Sequence, residues 1–140
     1  MDFDDTPEEA AFRAEVREWL VAHAPAKGGP EDFSTGFLEQ TMTEEEFHRR
    51  VKSWQELLVE HNWAGITWPK EFGGRGGTAM QNTIWGQEAS QFGVTVNNYA
   101  VGIGMAGPTI LRHGTDEQKK RYLLPMLRGD EVWCQLFSEP

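Results

Sequence analysis

This chain predicts an all-α fold, a bundle of about five or six helices followed by a single opening strand, and three observations predict it. Helix starts recur in one form: Thr6 with Glu9, Thr43 with Glu46 and Thr115 with Gln118 each set a hydroxyl three residues ahead of a Glu or Gln, the reciprocal pairing that satisfies two orphan N–H groups. Apolar residues then follow at three- and four-residue spacing. Period-two alternation is confined to the last ten residues, EVWCQLFSEP, where Val132, Cys134 and Leu136 alternate with Trp133, Gln135 and Phe137, as on a strand.

The first helix opens at Pro7, which lacks an N–H where none is needed. It carries Phe12, Val16, Trp19 and Leu20 on one face and ends by Pro25. Residues 26–40, dense in Gly, Pro and Ser, read as a surface connection. The second helix follows Thr43 and presents Phe47, Val51, Trp54, Leu57 and Leu58. Residues 65–77 are turn chemistry with Gly73, Gly74, Gly76 and Gly77, lacking the G-K-[ST] ending of a nucleotide-binding loop. The spacing predicts a third helix over 79–92, burying Met80, Ile84, Trp85, Ala89 and Phe92 and exposing Glu88.

An apolar helix over 97–111 is expected to be broken or kinked at Pro108. It holds Gly102, Gly104 and Gly107, each costing about 1 kcal/mol relative to alanine, so some group is expected to approach its backbone closely. The last helix, from Thr115, exposes Lys119 and Lys120 and buries Tyr122, Leu123, Met126 and Leu127; Pro125 interrupts it and Gly129 supplies a left-handed end.

At 140 residues the chain can bury roughly 68–70% of its unfolded surface. Its hydrophobic fraction of 39%, with six Trp and eight Phe, excludes a disordered tail. A net charge of −9, from 22 acidic and 13 basic residues, argues against nucleic acid and acidic membrane surfaces as partners. Lys119, Lys120 and Arg121 form a solvated helix face. The single cysteine, Cys134, leaves no intrachain disulfide and reads as a buried small hydrophobe. His48 and His61 lack ligand spacing, so no metal site is expected. No apolar run reaches the ~20 residues of a membrane span, and the acidic start MDFDDTPEE lacks a secretory signal; the expected location is cytoplasmic.

Three stretches are similar to the acyl-CoA dehydrogenases: ITWPKEFGGRGG over residues 66–77, GPTILRHGTDEQKKRYLLPMLRGDEVWCQLFSEP over residues 107–140, and within it Gln135 to Pro140, which resembles the first half of that family's x-x-[ST]-E-P-G-A-G-S-D segment. The resemblance implies an N-terminal helical domain over 1–130 and, over 131–140, the first strand of a β-domain whose remainder lies beyond the chain. It implies an FAD-dependent oxidoreductase that removes a proton and a hydride from the α- and β-carbons of an acyl-CoA thioester. Matching positions make Gln135, Phe137 and Ser138 flavin contacts and Asn97, Ala100, Val101 and Gly104 the acyl-cavity wall. The small side chains leave room for a long or bulky acyl group.

The family's glutamate base lies in a C-terminal domain, so no catalytic residue is expected in this chain, and Glu139 matches a structural position. Implied partners are acyl-CoA, further subunits of a homo- or hetero-tetramer, and an electron-transferring flavoprotein. The 140 residues alone are expected to be colourless and inactive. The alternative is a non-enzymatic helical module or small subunit that binds an acyl ligand or a larger partner.

Overall fold

The structure, a computed structural model, describes residues 5–35, 42–95 and 98–136. Among the described residues there are five α-helices: α1 (Pro7–His23), α2 (Glu44–Glu60), α3 (Ala79–Ala89), α4 (Gly107–His113) and α5 (Asp116–Leu127), with a 3₁₀ turn at Lys70–Phe72 and a π-turn at Gly102–Ala106. Among the described residues the β-structure is one isolated antiparallel bridge, Ala26 with Phe92. The all-α expectation holds.

The chain divides into two compact units, residues 1–51 with 77–96 and residues 52–76 with 97–140. In the first, α1 packs on α3, with Phe12, Val16 and Leu20 of α1 and Ile84 and Ala89 of α3 buried. Trp19 and Trp85 meet at 6.0 Å. Both helices start with full capping boxes, Thr6 with Glu9 and Thr78 with Gln81. The third helix stops at Ala89, short of the expected Phe92, and Met80 lies 51% exposed. With four residues to a repeat, Ile84 and Glu88 extend the buried stripe that Met80 would have begun, and at the first turn the stripe has already left the core.

Glu88 is therefore a correction: it is buried, not exposed. Its Oε2 accepts from Arg17 Nε at 2.8 Å, and its Oε1 accepts from Arg17 Nη2 at 2.9 Å and Arg13 Nη1 at 3.1 Å. The Arg17 bonds hold its carboxyl below the usual range, against a burial that would raise it, and Arg13 adds to the effect. Arg13 is in turn gripped by Asp5.

In the second unit, α5 packs on α4, the π-turn and the 3₁₀ turn. Leu123, Met126 and Leu127 of α5, Trp54 and Leu58 of α2, and Trp63, Ile66 and Trp68 of the loop that follows are buried. Pro125 sits inside α5 without interrupting it. The helix ends as a Schellman motif: Gly129 N–H donates to Met126 O, Asp130 N–H to Pro125 O, and Gly129 takes φ +67°. Remaining end carbonyls are met from α2, Leu127 O by Gln55 Nε2 at 2.6 Å and Arg128 O by Lys52 Nζ at 2.8 Å. A cation there also complements the negative end of the helix dipole.

The cap of α5 is exposed and local: Thr115 Oγ1 accepts from Gln118 N–H at 3.3 Å, and Gln118 Oε1 accepts from Thr115 N–H at 2.8 Å. Thr115→Ala is expected to cost about 1 kcal/mol, read as a lower urea midpoint with an unchanged slope.

Candidate functional site

The segment from Ala100 to His113 is helical throughout, but not uniformly α. Pro108, which has no N–H, leaves one carbonyl of this segment without a helical donor. In the π-turn, Gly107 N–H donates to Gly102 O, five residues back. Ile103 O then has no helical donor, because the N–H that an α-helix would offer it is committed and Pro108 has none. The missing donor comes from outside the helix: Trp68 Nε1–H reaches Ile103 O at 3.2 Å.

Trp68 is buried, and glycines make its space. A Cβ on Gly107 would strike the six-membered ring of the indole, a Cβ on Gly74 would strike the Trp68 backbone, and one on Gly65 would come within 3.2 Å of Trp68 Cγ. The close approach expected over 97–111 is thus made by an indole from the 65–77 loop. The sequence-predicted kink is a π-turn two residues earlier than α4's proline, and the helix runs on to His113.

On its other side this turn is open. Gly104 is exposed, with no heavy atom within 4 Å of where a Cβ would stand, and Met105 is 50% exposed. Ala100 is exposed and Val101 half-buried. Asn97, Phe137 and Ser138 lie outside the described residues. Of the expected flavin contacts, Gln135 is described: it is exposed, and its Nε2 contacts Met105 Sδ at 3.6 Å. Gln135 therefore rests on Met105, the chain neighbour of Gly104 and a methionine that sequence reasoning missed.

Residues 132–136 form no ladder. Trp133 alone is half-buried, edge-on to Tyr122 at 5.5 Å and 87°, while Val132 and Leu136 are 73% and 91% exposed. Cys134 shares their side and is exposed, which corrects the expectation of a buried thiol: packing of the indole turns the alternate residues outward. Glu131 is held by Arg121 at 2.6 Å.

None of Ala100, Val101, Gly104, Met105 and Gln135 ionises, so this surface can shape and bind but cannot carry a proton. Among the described residues no group of three or more His, Cys, Asp or Glu could hold a metal ion. A concavity of about 370 Å³, lined by Ile110, His113, Gln118, Tyr122 and Trp133 among others, lies beside α4 and α5; no sequence-predicted site residue lines it. No helix among the described residues is long and apolar enough to cross a membrane.

Comparison with known proteins agrees with this architecture. The sequence profile described as "Acyl-CoA dehydrogenase, N-terminal domain" matches residues 6–130. The acyl-CoA dehydrogenase IpdE1 of Mycolicibacterium smegmatis is 33% identical over 136 residues, covering 92% of this chain and 32% of that protein. FadE34 of Mycobacterium tuberculosis, also named an acyl-CoA dehydrogenase, is 41% identical over 86 residues, 61% of this chain and 12% of its own length. Among solved structures, the Tcur3481-Tcur3483 steroid ACAD superposes with a TM-score of 0.72 at 30% identity, covering 94% of this chain and 32% of the other. The ChsE4-ChsE5 complex from Mycobacterium tuberculosis superposes at 0.63 with 27% identity, covering 93% and 30%. The chain spans about a third of the length of IpdE1 and of these structures. With its helices, caps and match over residues 6–130, this chain belongs to the acyl-CoA dehydrogenase family and corresponds to that family's N-terminal domain.

Proposed function

We propose that the chain serves as the N-terminal helical domain, residues 1–130, of an FAD-dependent enzyme that dehydrogenates a bulky acyl-CoA thioester between its α- and β-carbons, with residues 131–140 leading into the flavin site. One observation carries the reading: the Gln135 amide lies on Met105, next to the open Gly104, so a flavin-contact position and an acyl-wall position adjoin. The residues fit the cofactor, since an exposed carboxamide on a segment outside any ladder offers donors and acceptors to the polar edge of a flat heteroaromatic ring. Bound FAD would supply the acceptor for the hydride leaving the β-carbon. The chain's own share is to orient and to exclude water: Ala100, Val101 and Gly104 form an apolar wall of small residues, to which the polar Asn97 is assigned as well, while Gln135, with Phe137 and Ser138, binds the cofactor.

Bulk is favoured because Gly104 and Ala100 project little into the open side, and the steroid ACAD among the similar structures points the same way. The proton acceptor is assigned to a part of the enzyme beyond these residues. Exposed Val132 and Leu136 favour coverage by another domain or subunit. The similar structures, named as pairs of proteins, support a hetero-assembly; a tetramer and an electron-transferring flavoprotein in the cytoplasm complete the reading.

The test is to isolate the native protein carrying this sequence and add acyl-CoA thioesters without oxygen. A yellow protein whose flavin absorbance bleaches is expected. A colourless protein that binds a larger partner and no flavin would replace this reading with that of a small subunit. In the active enzyme, Gly104→Leu is expected to lower kcat/KM for a polycyclic acyl thioester at least about tenfold while sparing a short straight-chain one, since filling a pocket by even one methylene is worth ~10-fold or more.

A further inference from the structure

We propose that Trp68 is a positioning residue for the acyl wall: by donating its indole N–H to Ile103 O, it holds the π-turn over 102–106 and so decides which side chains ahead of the turn face the substrate. The inference rests on the reading of Ala100, Val101 and Gly104 as that wall.

The reason is a competition between two registers. In an uninterrupted α-helix Gly107 N–H would bond Ile103 O, and the carbonyl stranded by Pro108 would be that of Gly104. Gly104 is exposed, so water would satisfy it at little cost. In the observed register Gly107 N–H goes to Gly102 O, and the stranded carbonyl is Ile103 O, on a half-buried residue. Left unmet, that carbonyl would disfavour the π-turn. The indole reverses the preference by supplying a donor at that place. The phenyl part of the same ring, seated on Gly107, keeps the donor aimed.

Which register is adopted matters for binding. A π-turn carries one residue more than the α-turn it replaces, and one residue corresponds to about 100° of rotation. Without the turn, Ala100 and Val101 rotate by that amount relative to α4. Half-buried Val101 then exchanges places with smaller neighbours, and Met105 leaves Gln135. The wall changes shape while no residue touching it changes.

The experiment compares the flavin-loaded enzyme carrying this sequence with two variants, Trp68→Phe and one in which Trp68 is replaced by benzothienylalanine, which keeps the bicyclic shape and lacks the N–H. Hydrogen exchange is followed in peptides covering 98–113 and, as a control, α5. Acyl preference is read as the ratio of kcat/KM for a polycyclic and a short straight-chain acyl-CoA. Both variants are expected to change exchange over 102–107 with α5 unaltered. They are also expected to shift the preference ratio at least about tenfold through KM, with kcat for the short substrate retained.

An equal loss on both substrates, or a benzothienylalanine variant indistinguishable from the parent in exchange and preference, would overturn the proposal. If the parent oxidises no acyl-CoA, the proposed function fails, and the assignment of Trp68 to substrate choice is overturned with it. The exchange data then decide separately whether the indole holds the turn.

Discussion

Replacing Arg13 and Arg17 together by methionine is expected to lower stability by about 3 kcal/mol at neutral pH, because it leaves a buried carboxylate with neither of its cations. Glu88 is 2% exposed, whereas the side chains of Arg13 and Arg17 are 23% and 57% exposed, so the cluster is asymmetric. Loss of the carboxylate frees two guanidiniums that can turn to water; loss of the guanidiniums strands a charge that cannot. The cost stays near the lower end of the range for broken buried pairs because Glu88 can take up a proton instead of remaining charged. Adding Glu88→Leu to the double variant should recover most of the loss.

The pH dependence should change sign as well. In the parent, the folded carboxyl lies below its ordinary 4.5. The unfolded chain thus binds more protons near that pH, and the contribution, complete above it, is lost as pH falls through the folded value. Without the arginines burial alone acts and raises the folded value, so stability from this site is lost as pH rises. Urea unfolding between about pH 4 and pH 7, parent against double variant, reads both effects; parallel curves would contradict the pairing.

The second large effect is expected from one methyl group. Gly107→Ala places a Cβ within 2.6 Å of Trp68 Cη2 and closer still to Cζ2. The indole has little room to retreat, since Gly65 already lies against its Cγ–Cδ2 edge, where a Cβ would come within 3.2 Å. Overpacking of this kind costs about 1–3 kcal/mol, and more where a rigid ring has no escape. Gly104, three residues earlier on the same helical segment, meets nothing within 4 Å. There the same substitution should be neutral or add up to about 1 kcal/mol through helix propensity. Thermal unfolding of the two alanine variants side by side measures the contrast, and equal shifts would refute the packing account.

These effects mark where sequence reading succeeds and where it stops. The hydroxyl caps at Thr6, Thr43 and Thr115 are local devices, legible because the partner lies three residues away; the box at Thr78 and Gln81 follows the same pattern and was open to the same reading. Glu88 was misread because its burial depends on guanidiniums 71 and 75 positions distant. Pro108 announced an irregular helix, but its form depends on an indole 35 positions before the carbonyl it meets at Ile103. For Cys134, alternation shows which residues share a face and not which face is turned inward. Gln135 was named from a motif, whereas its neighbour Met105, 30 positions back, carries no sequence signal that would have paired them.

Trp68 and the glycines around it have a consequence for descent. Gly107 is obliged by the indole's six-membered ring, whereas Gly74 is obliged by the Trp68 backbone and Gly65 by its φ of +57° and by Leu127 as well as by the indole, so it is position 107 that is tied to the ring itself. A lineage that exchanged the indole for a smaller side chain would release Gly107 while leaving Gly65 and Gly74 under their own constraints. Among relatives positions 68 and 107 should therefore change together, and helices with alanine at 107 should belong to chains that have given up the tryptophan.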